Sequence, residues 1–428
     1  MTALSAIANF LKDYVFNQPA FFIGLVALLG LLLQKKSFSD TVSGTIKTVV
    51  GVLIITTAAG QIAGLLLSLA PIIQHAFGLQ SFNFSAIGTD KFIQQYGSPI
   101  TLIMTFGFLV NLLLARFTRF KYIYLTGHLM FWMALVWVAV LVETFGTDLS
   151  QTAIIASGAV VMGLYWTFQP ALTQPYMRKI TGNNELALGH TTGVAAFLAG
   201  WAGKFVGDPK DSTENMRISE GFRFFQDITV ATSLVMAIVY IVANLFAGPQ
   251  FVATYAKGQN YVYWGLLQGI QFGAFVTVLL LGVRLMIAEI VPAFRGIAMK
   301  VVPNAIPALD APIVFTFAPT AVIVGFLSTF VTVIILTFIF GLSGIGVLIP
   351  PMIPIFFPGA TAGVFGNATG GRRGAILAGV ITGLLIGLGE VAMVRVMATT
   401  VPDVFAWATD PDWAVFAGFW RAVLSLFR

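Results

Sequence analysis

The sequence predicts an all-α integral membrane protein of about eleven transmembrane helices, and three observations carry that prediction. Charged residues make up 9% of the 428 positions and hydrophobic residues 58%, where a soluble domain has about 25% charged residues. Such a chain has too little polar surface to cover itself in water. The charges gather in short clusters between long apolar runs, and those clusters are basic on alternate sides of the runs.

A spanning helix needs roughly 20 apolar residues. Runs that approach this length lie at Ala20–Leu33, Thr48–Ile72, Pro99–Ala115, Ile123–Val142 and Thr152–Leu172. Further runs lie at Ile228–Phe246, Tyr263–Ile290, Pro319–Phe340, Ile345–Phe365, Ala375–Met397 and Trp413–Phe427. Lys35 and Lys36 follow the first run; Arg116, Arg119 and Lys121 the third; Arg178, Lys179 and Lys204 to Arg223 the fifth. Arg295, Lys300, Arg372 and Arg373 continue the alternation, whereas Asp148, Asp403, Asp410 and Asp412 lie in the poorly basic regions. Basic residues favour the cytoplasmic face, which predicts an outer N-terminus and a cytoplasmic C-terminus. The same bias accounts for the net charge of +6 without nucleic acid. No removable signal peptide is expected.

Three segments depart from ordinary spans. Residues 180–206 are apolar but short, with five glycines around His190. Residues 301–319 hold Pro303, Pro307, Pro312 and Pro319 around Asp310, and 348–366 pack four prolines against Gly359 and Gly363. Proline removes a backbone donor, which hydrocarbon penalises unless protein or water satisfies the freed groups. These segments are expected to be re-entrant hairpins or broken helices, with those near 180–206 and 301–319 as possible halves of an inverted repeat.

An ionisable group at membrane depth costs at least ~2.5–3.5 kcal/mol and needs a partner or a purpose. His128 and His190 each follow a glycine inside apolar sequence, and Asp310 stands among the prolines. Imidazoles donate and accept hydrogen bonds and a carboxylate accepts two, so the set suits a hydroxyl-rich ligand. Each side chain also suits tying one helix to a neighbour. Glu289 with Arg284, and Glu390 with Arg395, fit structural pairing near span ends. Trp166, Trp201, Trp264 and Trp413 fit an interfacial aromatic belt. Cysteine is absent. There is no phosphate-binding loop, His/Cys metal spacing or nucleophile elbow, so no cofactor or metal is expected, nor an ATP-driven pump on this chain.

Gly44–Thr48, Leu125–Phe131, Phe315–Val322, Ile349–Phe357 and Ala360–Phe365, supported by Gly163–Trp166 and Leu188–His190, together resemble the ascorbate-specific IIC permeases of the phosphoenolpyruvate-dependent phosphotransferase system. The resemblance implies a homodimer of eleven-span protomers, each with a substrate-carrying core domain and a V-motif scaffold domain interleaved in the sequence. It implies an elevator-type movement and IIB and IIA components as partners, in a bacterial inner membrane. It also implies that His128, His190 and Asp310 hold the ligand, with Leu129, Met130, Trp132, Thr191, Ala86 and Ile87 around it. Trp132 and Thr191 stand where the family carries glutamines, and Ala86 and Ile87 where it carries a threonine–tyrosine pair. The function so implied is translocation of ascorbate or a related sugar acid or polyol, coupled to phosphorylation by a separate IIB phosphocysteine. The rival reading is a proton- or sodium-coupled transporter of a small hydroxylated solute, using Asp310, Glu289 or Glu390.

Overall fold

A computed structural model describes residues 18–78, 86–216, 227–343, 350–401 and 409–427. Apolar runs give helices because only a helix satisfies its own backbone in hydrocarbon. In chain order these are α1 (Pro19–Leu33), α2 (Phe38–Ala76), α3 (Thr89–Phe117), α4 (Gly127–Phe145), α5 (Gln151–Thr181), α6 (Gly193–Val206) and α7 (Ile228–Ala247). They continue with α8 (Pro249–Ala256), α9 (Tyr261–Lys300), α10 (Pro312–Phe315), α11 (Pro319–Ser343), α12 (Met352–Val396) and α13 (Pro411–Ser425). Among the described residues, eight helices are long and apolar enough to cross a membrane. The eleven expected runs all fall on helices, but α1 and α13 have only 15 residues each, and two runs share α12. Residues 345–349 of one run lie outside the described residues.

The 45 residues of α12 are two helices folded back at Gly371, whose φ of 56° is left-handed. A Cβ on Gly366 or Gly374 would lie 2.2 Å from the other's carbonyl oxygen, whereas eight residues of straight helix rise about 12 Å. The break expected within 348–366 therefore falls later: the chain is helical from Met352 through Pro358. Glycine permits the close stacking. Gly325 of α11 meets Gly359 and Gly363 on one arm, and Gly379 on the other arm approaches Ser328 and the Gly325 carbonyl. α6 packs on the same hairpin, α1, α2 and α7 gather around α9, and α3, α4 and α5 form a further group that α13 joins through α4.

The sequence reading missed one element. Three short parallel strands, β1 (Tyr122–Tyr124), β2 (Ala187–Leu188) and β3 (Ile306–Leu309), form a sheet in the order β1-β3-β2. The run expected as helix from Ile123 thus starts as strand and becomes helical at Gly127. Pro307, which has no donor, is tolerated in the central strand, and Ile306 N–H donates instead to the Lys121 carbonyl at 2.8 Å. Both sheet edges are closed by side-chain amides. Asn111 donates to the Tyr122 carbonyl at 3.1 Å and accepts from the Tyr124 N–H at 3.1 Å, as a fourth strand would. Gln174 donates to the Leu186 carbonyl at 3.0 Å on the other side. Asn111→Leu is expected to cost about 3 kcal/mol, from two buried backbone groups left unpaired at roughly 1–3 kcal/mol each. Thermal unfolding of the detergent-purified variant checks this, and an unchanged midpoint would refute it.

Candidate functional site

Each strand delivers one of His128, His190 and Asp310. The chain leaves β1 through Leu125 and Thr126 to His128 in the first turn of α4. It leaves β2 through Gly189 to His190, just before α6, and leaves β3 directly into Asp310, just before α10. Because the strands are parallel, all three residues emerge at the same edge, the carboxyl ends, where open parallel sheets bind ligands. Cross-strand bonds fix the exits: Leu125 N–H donates to the Ala308 carbonyl (2.9 Å), Gly189 N–H to the Leu309 carbonyl (2.7 Å), and the Thr126 hydroxyl to the Gly189 carbonyl (2.6 Å). Gly189 must be glycine, because a Cβ there would lie 2.7 Å from the Ala308 oxygen.

Asp310 stands between the imidazoles. Its Oδ2 lies 3.7 Å from His128 Nε2 and its Oδ1 lies 3.7 Å from His190 Nε2. Oδ1 also accepts the Ala311 N–H at 2.7 Å, which holds the carboxylate in place. The histidine contacts are longer than hydrogen bonds, so both rings and the acid retain capacity for hydroxyl groups. His128 is 49% exposed and Asp310 33%, while His190 is 7% exposed.

The three residues line a cavity of about 500 Å³. Its wall also carries Trp132, Trp413, Phe357 and Pro354, with Leu129 and Pro312 among the other lining residues. The rings of Trp132 and Trp413 lie 5.8 Å apart at 35°. Helical periodicity explains which residues of α4 take part: Trp132 is one turn beyond His128, while Met130 turns away into a fully buried cluster with α3 and α5. The structure does not bring Met130, Thr191, Ala86 or Ile87 to the cavity wall. Thr191 is buried and its hydroxyl donates to Asp410 Oδ2. Ile87, next to Ala86, is held by its N–H to the Thr399 carbonyl at 3.1 Å, beyond the end of α12. Ser85, beside them, lies outside the described residues.

Other readings change as well. Glu289 pairs with Lys47 at 3.3 Å, an exposed contact on a neighbouring helix, whereas the sequence spacing pointed to Arg284. Glu390 is fully buried. Trp166, Trp264 and Trp413 are buried inside the protein, so they do not belong to an interfacial belt; Trp201 remains 49% exposed. Asp410 and Asp412 look like outer-loop acids in sequence, yet both are buried, and Asp410 lines the cavity. The available signal was Asp410-Pro411, an acid at a helix N-cap followed by proline at the first helical position.

The family model described as the EIIC-GAT sugar-specific permease component of the phosphotransferase system matches residues 14–412. The chain belongs to this family. It is also 26% identical over 446 residues to the ascorbate-specific phosphotransferase-system EIIC component of Mycoplasma pneumoniae, a match covering 92% of this chain and 67% of that protein. The permease is therefore a multi-pass membrane protein with a role in sugar transport. Its polar cage is formed by segments 60 to 180 residues apart, joined through one sheet.

Proposed function

We propose that this permease is the IIC subunit that binds ascorbate or a related sugar acid or polyol and carries it inward for phosphorylation by a separate IIB phosphocysteine. The observation that supports this reading is Asp310 held between His128 and His190 on the wall of a cavity of about 500 Å³. A carboxylate accepts from substrate hydroxyls while the imidazoles donate or accept, and the Trp132 and Trp413 rings offer an apolar face to one side of a sugar. Phosphoryl transfer depends mainly on positioning and charge stabilisation. Asp310 and the imidazoles thus orient one hydroxyl, and the cysteine-free chain leaves the covalent phospho-group to its partner. IIA recharges that partner.

In this scheme the helices packed around the sheet form the moving core, and those gathered around α9 form the V-motif scaffold of a homodimer. The N-terminus faces outward, and the eleven spans include the two arms of α12. The short α6 and the extended segment at β3 both start from the sheet beside the cage, which supports re-entrant entry near 180–206 and 301–319. The segment that carries Lys204, Lys210, Arg217 and Arg223 is the docking surface for IIB; its Arg217 and Arg223 lie outside the described residues.

The test is uptake of labelled ascorbate by right-side-out vesicles loaded with phosphoenolpyruvate and the IIA and IIB proteins. Phosphorylated product is expected inside, and uptake should stop without IIB. Accumulation of unmodified ascorbate driven by a proton or sodium gradient would instead establish a coupled secondary transporter. Trp132→Ala is expected to weaken ascorbate binding by about tenfold at most, the value of one aromatic contact, with the folding midpoint little changed. Equilibrium binding to purified protein measures it.

A further inference from the structure

The ring of His190 has few direct restraints. Its Nε2 faces Asp310 at 3.7 Å, beyond hydrogen-bond length, and its Nδ1 is buried without a hydrogen-bond partner among the described residues. Its position therefore follows from the backbone at 189–194. On one side that backbone is tied to the sheet through Gly189. On the other side it is tied to the start of α13, some 220 residues later in the chain.

Four contacts make that second tie. Asp412 N–H donates to the Thr191 carbonyl at 3.0 Å. The Asp412 carboxylate accepts the Gly193 N–H at 3.1 Å and the Val194 N–H at 2.7 Å, closing the first turn of α6. It also accepts the Tyr165 hydroxyl of α5 at 2.7 Å. The Thr191 hydroxyl donates to Asp410. Gly193 leaves room for this approach, since a Cβ there would lie 2.9 Å from Asp412 Oδ2. Asp412 thus does for α6 what an N-cap side chain does, but from another helix, and its charge suits a helix N-terminus.

We propose that Asp410 and Asp412 are positioning residues which, through Thr191 and the N-terminus of α6, set the place of the His190 imidazole in the cage. The contacts are buried, so removing one partner strands the other at its desolvation cost. The proposal concerns loop geometry and stands without any assignment of substrate, although its effect on affinity rests on the transport reading above.

A ligand-free measurement tests it. Diethylpyrocarbonate acylates accessible imidazoles, and mass spectrometry of the detergent-solubilised protein gives separate rates for His190 and His128. In the wild type His190 should react slowly and His128 fast, following their exposure. Thr191→Val keeps the side-chain shape and removes the hydroxyl; Asp412→Ala removes the helix clasp. Thr191→Val is expected to raise the His190 rate by about tenfold, the value of losing one ordinary buried hydrogen bond, and Asp412→Ala, which removes three, by at least as much, while His128 is unaffected. Thr191→Ser should restore the wild-type rate. If Asp412→Ala does not fold, Thr191→Val and its serine counterpart carry the test alone. An unchanged His190 rate in a folded Thr191→Val protein, or an equal rise at His128, overturns the proposal. Ascorbate binding is measured in parallel with His128→Ala: if that variant binds normally, the transport reading fails while the acylation result stands.

Discussion

Asp310→Asn is expected to weaken ascorbate binding about a hundredfold, since hydrogen bonds to a charged group are worth roughly 1.5–3 kcal/mol. The substitution preserves size and the oxygen that accepts the Ala311 N–H. What it removes is the charge between two imidazoles and one acceptor face toward the cavity. The unfolding midpoint should barely move, because the residue is one-third exposed and contributes no apolar packing. Isothermal titration of purified protein with ascorbate measures the effect. Binding as tight as in the wild type would remove Asp310 from the site.

Gly371→Ala should damage the protein more broadly. Gly371 turns α12 back on itself at a φ of 56°, and a Cβ there would meet the carbonyl oxygens of Asp208 and Asp211 at 2.4 and 2.5 Å. Both are backbone atoms, and Arg372 N–H already donates to the Asp211 carbonyl at 2.9 Å. Relief therefore requires moving the whole 207–213 loop. Left-handed strain alone costs about 1–3 kcal/mol, and the steric overlap adds to it. The expected result is a large fall in monodisperse protein on size-exclusion chromatography. A variant with wild-type yield and midpoint would show that the turn is softer than its contacts imply.

Membrane character, the helical runs and the identity of the three cage residues could be read from the sequence because each follows from local composition. A charge in hydrocarbon is conspicuous, and so is a cluster of prolines around a carboxylate. The sheet was hidden for the opposite reason. Strands of two to four residues leave no period to detect, and the amides that bond beside their outer edges, Asn111 and Gln174, look like ordinary polar interruptions of helices. Asp410 and Asp412 were hidden by chain distance: their partners at 191–194 and Tyr165 lie more than 200 residues earlier. In sequence, an acid that caps another helix looks like an acid in a loop. Met130 shows the same limit at short range, since a motif fixes neighbours in sequence and helix geometry decides which of them face inward.

Hanging all three polar groups from one small amide-sealed sheet has a consequence for how new specificities arise. A shift of any one strand would disturb all three groups together, so the cage is poorly suited to gradual change. The bulky rings on the cavity wall belong to separate helices and can be exchanged one at a time. Divergence in what the cavity accepts is expected to proceed by exchange of those rings, at Trp132, Phe357 and Trp413, while the triad itself stays the same.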